Sequence, residues 1–185
     1  IATVVSTANA AESLALAGMK RYGLRWAVSS DGGRSFEQER PLVQAGGGYS
    51  ERHPIEGVWI GKNCLMNGNN TVWLSPDRLI HGAMMTPLGA NGEYAPPPGA
   101  YTFTEAVVLC GLMRGCEIEW DVAARIALPP EKSTRGAIEP ALALFPSGRM
   151  LMVLRGSHDA NTALTGHLWF CVSDVNGRTW SDTEP

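Results

Sequence analysis

The chain has 185 residues and a formal net charge of −3. This length allows one domain with a sizeable buried core. The small negative charge gives no electrostatic basis for binding nucleic acid or an anionic membrane, and no apolar run is long enough to span a bilayer.

The composition favours strands over helices. The chain contains 21 Gly, 12 Pro and 6 Trp, and this mixture is typical of many short strands joined by turns. Four cysteines lie at positions 64, 110, 116 and 171 without a CxxC pair, so a zinc site is not expected. No cluster of metal ligands is visible in the sequence, and no cofactor is expected. We expect small buried side chains at these positions, and a Cys110–Cys116 disulfide is the alternative in a secreted protein.

The first half of the chain contains one candidate helix and one hairpin. Residues 7–23 are rich in Ala and predict a helix, although a strand followed by a loop fits equally well. Residues 70–85 predict a strand, a Pro-Asp turn and a second strand. Residues 87–103 contain three consecutive prolines, which exclude a central strand and predict a loop.

The second half predicts four more strands. The apolar runs 106–112 and 120–128 are expected to pair with each other. Residues 139–155 repeat the pattern of the first hairpin, with a Pro-Ser-Gly turn between two apolar strands. Together these elements favour an all-β fold.

Two polar turns follow one pattern. "LRWAVSSDGGRSF" at 24–36 and "LWFCVSDVNGRTW" at 168–180 each contain an apolar strand, a Ser, turn residues, a Gly, an Arg, a hydroxyl residue and an aromatic residue. The Gly allows positive φ, the Ser and Asp side chains bond nearby backbone groups, and the aromatic ring can fold back onto apolar surface. A third, degraded copy ends at Trp120. Aromatic residues at 36, 120 and 180 then mark the ends of four-stranded propeller blades.

This pattern resembles the Asp box, or BNR repeat, of sialidases and related six-bladed β-propellers. The first copy matches the box at Ser29, Asp31, Gly33, Ser35 and Phe36, and the second matches it at Ser173, Gly177, Thr179 and Trp180. The second copy has Val175 where the box has Asp, which is expected to weaken the hairpin. The resemblance implies an all-β propeller of sialidase type, with the boxes in structural positions away from the active site.

A second resemblance concerns residues 133–157, which are similar to a sialidase segment that carries active-site residues. It implies that Glu139 is the base that activates a nucleophilic Tyr. It also implies that Arg155 is one of three arginines that bind the carboxylate of the sugar. Arg135 is a further candidate for substrate binding, whereas His81 is expected to be a structural histidine within a strand.

Each candidate site residue has a structural alternative. Glu139 would then be a surface residue at the start of a strand, and Arg155 would pair with a local acid such as Asp159. Arg135 would be a solvated loop residue. The resemblance favours the active-site interpretation of Glu139 and Arg155 over these alternatives.

The repeats cover half of a six-bladed ring. Residues 1–185 are expected to form a single partial propeller domain of about three blades, which would be inactive alone. By family order, the nucleophilic Tyr and a third Arg would lie beyond Pro185, and the general acid/base Asp would lie before or near Ile1. Two copies are expected to pair and close the ring, because open sheet edges favour association. A leader before Ile1 would imply a secreted or periplasmic location.

Three functions are compatible with this interpretation. The resemblance implies a glycoside hydrolase of the exo-α-sialidase type, which cleaves a terminal acidic sugar from a glycan. The alternatives are a non-catalytic Asp-box propeller that binds carbohydrate or protein, and another polysaccharide-degrading enzyme on the same fold. A glycan is therefore the expected partner, and neither nucleic acid nor a membrane span is expected.

Overall fold

The computed structural model describes residues 2–7, 23–41, 65–87, 103–158, 163 and 165–185. The strands in these ranges are β1 (Ala2–Thr7), β2 (Gly23–Val28), β3 (Arg40–Pro41), β4 (Leu65–Ser75), β5 (Arg78–Met85), β6 (Glu105–Arg114), β7 (Glu117–Ile126), β8 (Ile138–Leu144), β9 (Met150–Arg155) and β10 (Leu168–Ser173). The described residues include no helix, and so none that is long and apolar enough to cross a membrane. The predicted all-β class is confirmed.

The strands form three sheets that follow the order of the chain. The first sheet contains β1 to β3, the second β4 to β7 and the third β8 to β10. Every neighbouring pair of strands is antiparallel. An isolated bridge between Phe170 and Glu184 adds a further piece of chain beside β10. Each sheet is therefore a meander, which is the arrangement of a propeller blade.

The predicted hairpins are confirmed. Pro76 and Asp77 form the turn between β4 and β5, and residues 145–149 join β8 to β9. β6 and β7 pair as expected, over longer segments than the two apolar runs. The apolar stretches were long enough to identify the strands, and the turn residues located the points where they reverse.

Two predictions lie partly or wholly outside the described residues. The predicted helix is wrong at its ends, because Thr7 ends β1 and Gly23 begins β2, and these two residues are paired in the first sheet. Residues 8–22, and residues 88–102 of the predicted loop, lie outside the described part of the chain.

The third polar turn is shorter than an Asp box. Only Gly115, with φ of 66°, and Cys116 separate β6 from β7. Trp120 therefore lies inside β7 and packs into the core, and the strand continues to Ile126. Trp120 therefore belongs to the sheet, whereas Phe36 and Trp180 lie beyond the last strand of their sheets or between strands, after their polar turns.

Two apolar layers hold the three sheets together. One layer joins the first sheet to the second, and it includes Leu24, Trp26, Leu79 and Leu109. The other layer joins the second sheet to the third and consists of Ile80, Ala106, Val108, Ile126, Leu128, Ala137, Leu142, Met150, Met152, Leu154, Trp169 and Cys171. Successive strand residues point to opposite faces, so β5 contributes to both layers. Each fully buried Leu or Met stabilises the fold by about 1.5–3 kcal/mol.

The far face of the third sheet is apolar and exposed. Trp169 and Cys171 of β10 point into the core, whereas Leu168 and Phe170 alternate with them on the other face and remain 67% and 37% exposed. A blade in a propeller packs on both faces. We call the surface formed by Leu168 and Phe170 the open face of the third sheet.

The described cysteines do not share one environment. Cys171 is buried, Cys110 is half-buried and Cys116 is exposed in a hairpin turn, and all three are free thiols. The expectation of buried side chains therefore holds for Cys171 alone, where burial raises the pKa of the thiol to about 11. The alternative disulfide between Cys110 and Cys116 is not formed, and Cys64 lies outside the described residues.

Candidate functional site

The structure brings Glu139 and Arg155 into direct contact. Arg155 is the last residue of β9 and Glu139 is the second residue of β8, so the antiparallel hairpin places them at the same end. Arg155 Nη1 donates a hydrogen bond to Glu139 Oε1 across 3.0 Å. The two side chains are 49% and 47% exposed, so the pair is open to a ligand from solvent. Asp159, the alternative partner of Arg155, lies outside the described residues.

The backbone of Glu139 has an unusual conformation. Its φ is 53°, which is the left-handed region that favours glycine. The residue that follows is Pro140, and the β8–β9 register shifts between Ile138 and Ala141, so Glu139 lies in a β-bulge. Such a conformation costs about 1–3 kcal/mol and persists only where neighbouring groups enforce it. Bulges are frequent next to active sites, where they change the direction of a side chain.

The second sheet encloses this bulge, and sequence reasoning did not find that contact. The residues of β4 and β5 that touch Glu139 or Pro140 form what we call the Glu139 seat: Gly68, Asn69, Gly82 and Met84. Asn69 Nδ2 donates a 2.8 Å hydrogen bond to the carbonyl oxygen of Glu139. A glycine inside an apolar strand was the available signal, since it indicates a bulge or a close backbone approach.

Arg135 lies in the turn that leads into β8. Its carbonyl oxygen accepts a 3.1 Å hydrogen bond from the Thr104 amide. Ser133 Oγ closes the turn by donating to the carbonyl oxygen of Gly136 across 2.6 Å. The Arg135 side chain is half-buried. Its predicted role in substrate binding stays a prediction.

The first polar turn is held together by its own Ser and Asp side chains. Asp31 accepts hydrogen bonds from Ser29 Oγ, from the amides of Arg34 and Ser35, and from Ser35 Oγ. Ser29 Oγ in turn accepts a bond from the Gly33 amide across 2.7 Å. The bond from the Ser35 hydroxyl is the main cause that holds the pKa of Asp31 far below its usual range. Asp31 therefore acts as a structural acceptor within the turn.

Phe36 differs from the expectation for this turn. Its side chain is 48% exposed, whereas the pattern predicts a ring that folds back onto apolar surface.

The second polar turn keeps the Ser contacts and loses the Asp contacts. Ser173 Oγ accepts from the Gly177 amide across 3.0 Å, and Trp180 Nε1 donates to the carbonyl oxygen of Gly177. Trp180 packs against the second apolar layer as predicted. Thr179 occupies the hydroxyl position beside it. The Val175 side chain cannot accept the hydrogen bonds that Asp31 accepts in the first turn, and Val175 is 54% exposed.

Asp174 is turned outward to Arg149. Its two carboxylate oxygens accept hydrogen bonds from Arg149 Nε and Nη2 across 2.7 and 3.2 Å. This Arg149 contact lowers the pKa of Asp174. Asp174, which precedes the box position, therefore links the β8–β9 turn to the second polar turn, and it does not restore the missing Asp.

The second turn and the Glu139–Arg155 pair lie at opposite ends of the third sheet. β10 is paired with β9 from Leu168 opposite Arg155 to Ser173 opposite Met150. The five residue steps from Met150 to Arg155 correspond to about 17 Å. The polar turn is therefore separate from the site that contains Glu139.

A cleft of about 300 Å³ lies between the second sheet and the second polar turn. Its lining includes Leu74, Ile80, Trp120, Asp121 and Arg178. Arg178 Nη1 is 3.7 Å from Asp121 Oδ2 across the cleft. Because the cleft is at the end of the sheets that carries the polar turn, it does not extend the Glu139 site.

His81 is a buried neutral side chain. It is 2% exposed, and its Nδ1 lies 2.9 Å from Thr71 Oγ1. Burial lowers the pKa of His81 to about 4. Within the described ranges, no three His, Cys, Asp or Glu side chains converge in the manner of metal ligands.

Three meander sheets packed face to face define a partial β-propeller. Comparison with solved structures gives the type of propeller, since the NanB sialidase from Streptococcus pneumoniae superimposes with a TM-score of 0.54, 19% identity and 89% of this chain covered. A Hadza microbial sialidase, Hz136, gives a TM-score of 0.50 at 12% identity and the same coverage of this chain. A protein of unknown function from Dyadobacter fermentans gives 0.57 at 18% identity over 88% of this chain. The chain therefore has a sialidase-like β-propeller fold.

These similarities concern the fold alone. The matched region covers 38% of the Dyadobacter protein, 19% of NanB and 25% of Hz136. The chain thus spans less than two fifths of each of these proteins. No protein-family model matches the chain, and no curated protein sequence does.

Proposed function

We propose that the protein containing this chain is a sialidase-type glycoside hydrolase that cleaves a terminal acidic sugar from a glycan. The observation that carries the proposal is the Glu139–Arg155 contact, which joins a half-exposed carboxylate and a half-exposed guanidinium across 3.0 Å. The left-handed backbone of Glu139 at the same point supports it, because strained conformations cluster at active sites.

Arg155 would bind the carboxylate of the sugar. A guanidinium has five N–H donors in a fixed plane and can bind a carboxylate through two parallel hydrogen bonds. The contact with Glu139 uses Nη1, and about half of the Arg155 side chain faces solvent. An incoming carboxylate can therefore approach the guanidinium while Glu139 keeps it in place.

Glu139 would act on the nucleophile. The sialidase resemblance assigns this position to the base that takes the proton of a Tyr hydroxyl. The phenolate would then attack the anomeric carbon while the glycosidic bond breaks, and the general acid Asp would protonate the departing oxygen of the glycan. The hydrogen bond from Arg155 fixes one carboxylate oxygen of Glu139, and about half of the Glu139 side chain remains exposed. We propose Arg135, in the turn before β8, as a further substrate ligand.

Substitution in the complete protein tests this proposal. Arg155→Ala and Glu139→Gln should each lower the release of sialic acid from sialosides by at least about 100-fold, because each removes a group that acts on the reacting sugar. Arg149→Ala is the matched control, since Arg149 forms an Arg–acid pair in the same sheet at the opposite end. That variant should retain full turnover.

Other outcomes would replace the proposal. Full turnover by Arg155→Ala would show that Arg155 does not bind the substrate. Tight binding of sialosides without product release by the complete protein would indicate a non-catalytic carbohydrate-binding propeller. Release of a different sugar from a panel of glycans would indicate another polysaccharide-degrading enzyme on this fold.

A further inference from the structure

The main chain of Glu139 is held by side chains from the neighbouring sheet. Asn69 Nδ2 donates to the Glu139 carbonyl oxygen across 2.8 Å, and the Glu139 amide donates to Met84 Sδ across 3.1 Å. Asn69 belongs to β4 and Met84 to β5. Both described hydrogen bonds of the Glu139 peptide groups therefore come from the second sheet, although Glu139 belongs to the third.

The third sheet does not supply these bonds itself. The β8–β9 register has no pair between Ile138 and Ala141, so Glu139 and Pro140 lie outside the ladder. Pro140 also has no N–H to donate. A left-handed residue before a proline relaxes towards extended backbone unless other groups hold it. The contacts from the Glu139 seat therefore oppose this relaxation.

Gly68 and Gly82 leave the space that allows the Glu139–Pro140 segment to approach β4 and β5 closely. A Cβ on Gly68 would lie 2.3 Å from the Gly82 carbonyl oxygen and 2.9 Å from Pro140 Cγ. A Cβ on Gly82 would lie 3.2 Å from the Pro140 carbonyl oxygen. Larger residues at either position would push the Glu139–Pro140 segment away from β4, and with it the hydrogen bond from Asn69.

β4 is itself distorted where it meets this segment. Its pairing with β5 shifts between Asn67 and Thr71, so Gly68, Asn69 and Asn70 form a bulge. This bulge turns the Asn69 amide onto the main chain of β8. The two bulges therefore face each other, one presenting the donor and the other the left-handed Glu139.

We propose that Asn69 is a positioning residue, whose amide keeps Glu139 in the left-handed conformation and so aims the Glu139 carboxylate at Arg155. Its kinetic consequence rests on the proposed function, whereas its structural consequence does not. Asn69 acts through Glu139 and is not placed on the substrate. Its loss should therefore change the rate of the chemical step more than the binding of the sugar.

Asn70 provides a matched control from the same bulge. Its Nδ2 donates to the Leu142 carbonyl oxygen and its Oδ1 accepts from the Leu142 amide, each across 2.8 Å. Asn70 thus joins the same two sheets as Asn69 does, through two hydrogen bonds, but without contacting Glu139. A general loosening of the sheets would affect Asn70→Ala at least as strongly as Asn69→Ala.

The experiment compares crystal structures and kinetics of the two variants in the complete protein. In Asn69→Ala, Glu139 should return to negative φ and lose its contact with Arg155. kcat should fall by about 10- to 100-fold while KM changes by less than about threefold. Asn69→Gln, which keeps an amide donor, should recover part of the loss. Asn70→Ala should keep the Glu139 conformation and a kcat within about threefold of the original.

Two results would overturn the inference. One is an Asn69→Ala structure in which Glu139 keeps positive φ and its contact with Arg155. The other is an equal loss of kcat in Asn70→Ala. If Asn69→Ala does not fold, Asn69→Asp keeps the size, removes the donor and allows the same comparison. If the unmodified protein cleaves no sialoside, the proposed function fails, and the crystal structures alone then decide whether Asn69 positions Glu139.

Discussion

Gly136→Ala should destabilise the protein much more than Gly148→Ala. Both glycines have positive φ, 69° and 85°, so Ala at either position introduces backbone strain. That strain costs about 1–2 kcal/mol. The surroundings differ, because a Cβ on Gly148 would meet no heavy atom within 4 Å, whereas a Cβ on Gly136 would lie 2.1 Å from the Thr104 carbonyl oxygen.

The extra cost at Gly136 comes from the hydrogen bonds around Thr104. The Thr104 carbonyl oxygen accepts from the Ala137 amide across 2.9 Å, and Thr104 Oγ1 donates to the Ala137 carbonyl oxygen across 2.7 Å. Moving Thr104 away from a new Cβ weakens both bonds. Each contributes about 1 kcal/mol net, so Gly136→Ala should cost about 3–4 kcal/mol in total.

Urea unfolding followed by Trp fluorescence measures this difference. With a slope of about 2 kcal/mol per molar urea, Gly148→Ala should lower the midpoint by about 0.5–1 M and Gly136→Ala by about 1.5–2 M. Equal midpoints for the two variants would refute the reasoning. They would mean that the chain around Thr104 moves without a loss of hydrogen bonding, so that the close approach has no energetic consequence.

Two further predictions concern pH and association. Burial holds the pKa of His81 at about 4, below its ordinary value of 6.5, so the unfolded chain binds more protons than the folded protein between these values. Stability should therefore fall as the pH falls from about 6.5 to 4, and His81→Gln should remove most of this dependence. Unchanged urea midpoints of the original protein between pH 7 and pH 5 would contradict it. The open face should pair two copies of the 185-residue chain, and Leu168→Glu with Phe170→Glu should separate them. Light scattering that shows a monomer before substitution would reject the pairing.

Contacts within one hairpin could be predicted from the sequence. Glu139 and Arg155 flank two apolar strands joined by a short turn, and an antiparallel pair brings the two ends together. The bonds of Asp31 to Ser29 and Ser35 likewise span only a few residues. In these cases spacing and side-chain chemistry determine the contact, because the intervening chain is too short for many alternative arrangements.

Contacts between sheets could not be predicted in this way. The exposure of Phe36 and of Cys116 depends on which surfaces the packed sheets cover, and neither residue carries that information in its neighbours. Trp120 resembles the aromatic end of a polar turn in sequence, yet the two-residue turn before it places the ring inside β7. The pattern of residue types was the same, and the length of the turn decided the outcome.

The Glu139 site combines both kinds of contact. Glu139 and Arg155 come from one hairpin. The hydrogen bond that supports the Glu139 main chain comes from Asn69, which lies 70 positions earlier in the chain. The conformation of the candidate catalytic residue therefore depends on how closely β4 approaches β8, and hence on Gly68 and Gly82 as well. Substitutions that shift the second sheet by a few tenths of an ångström should reorient Glu139 without touching it. The geometry of the proposed site thus depends on two adjacent sheets, and a search limited to the hairpin that carries Glu139 and Arg155 would miss Asn69, Gly68 and Gly82.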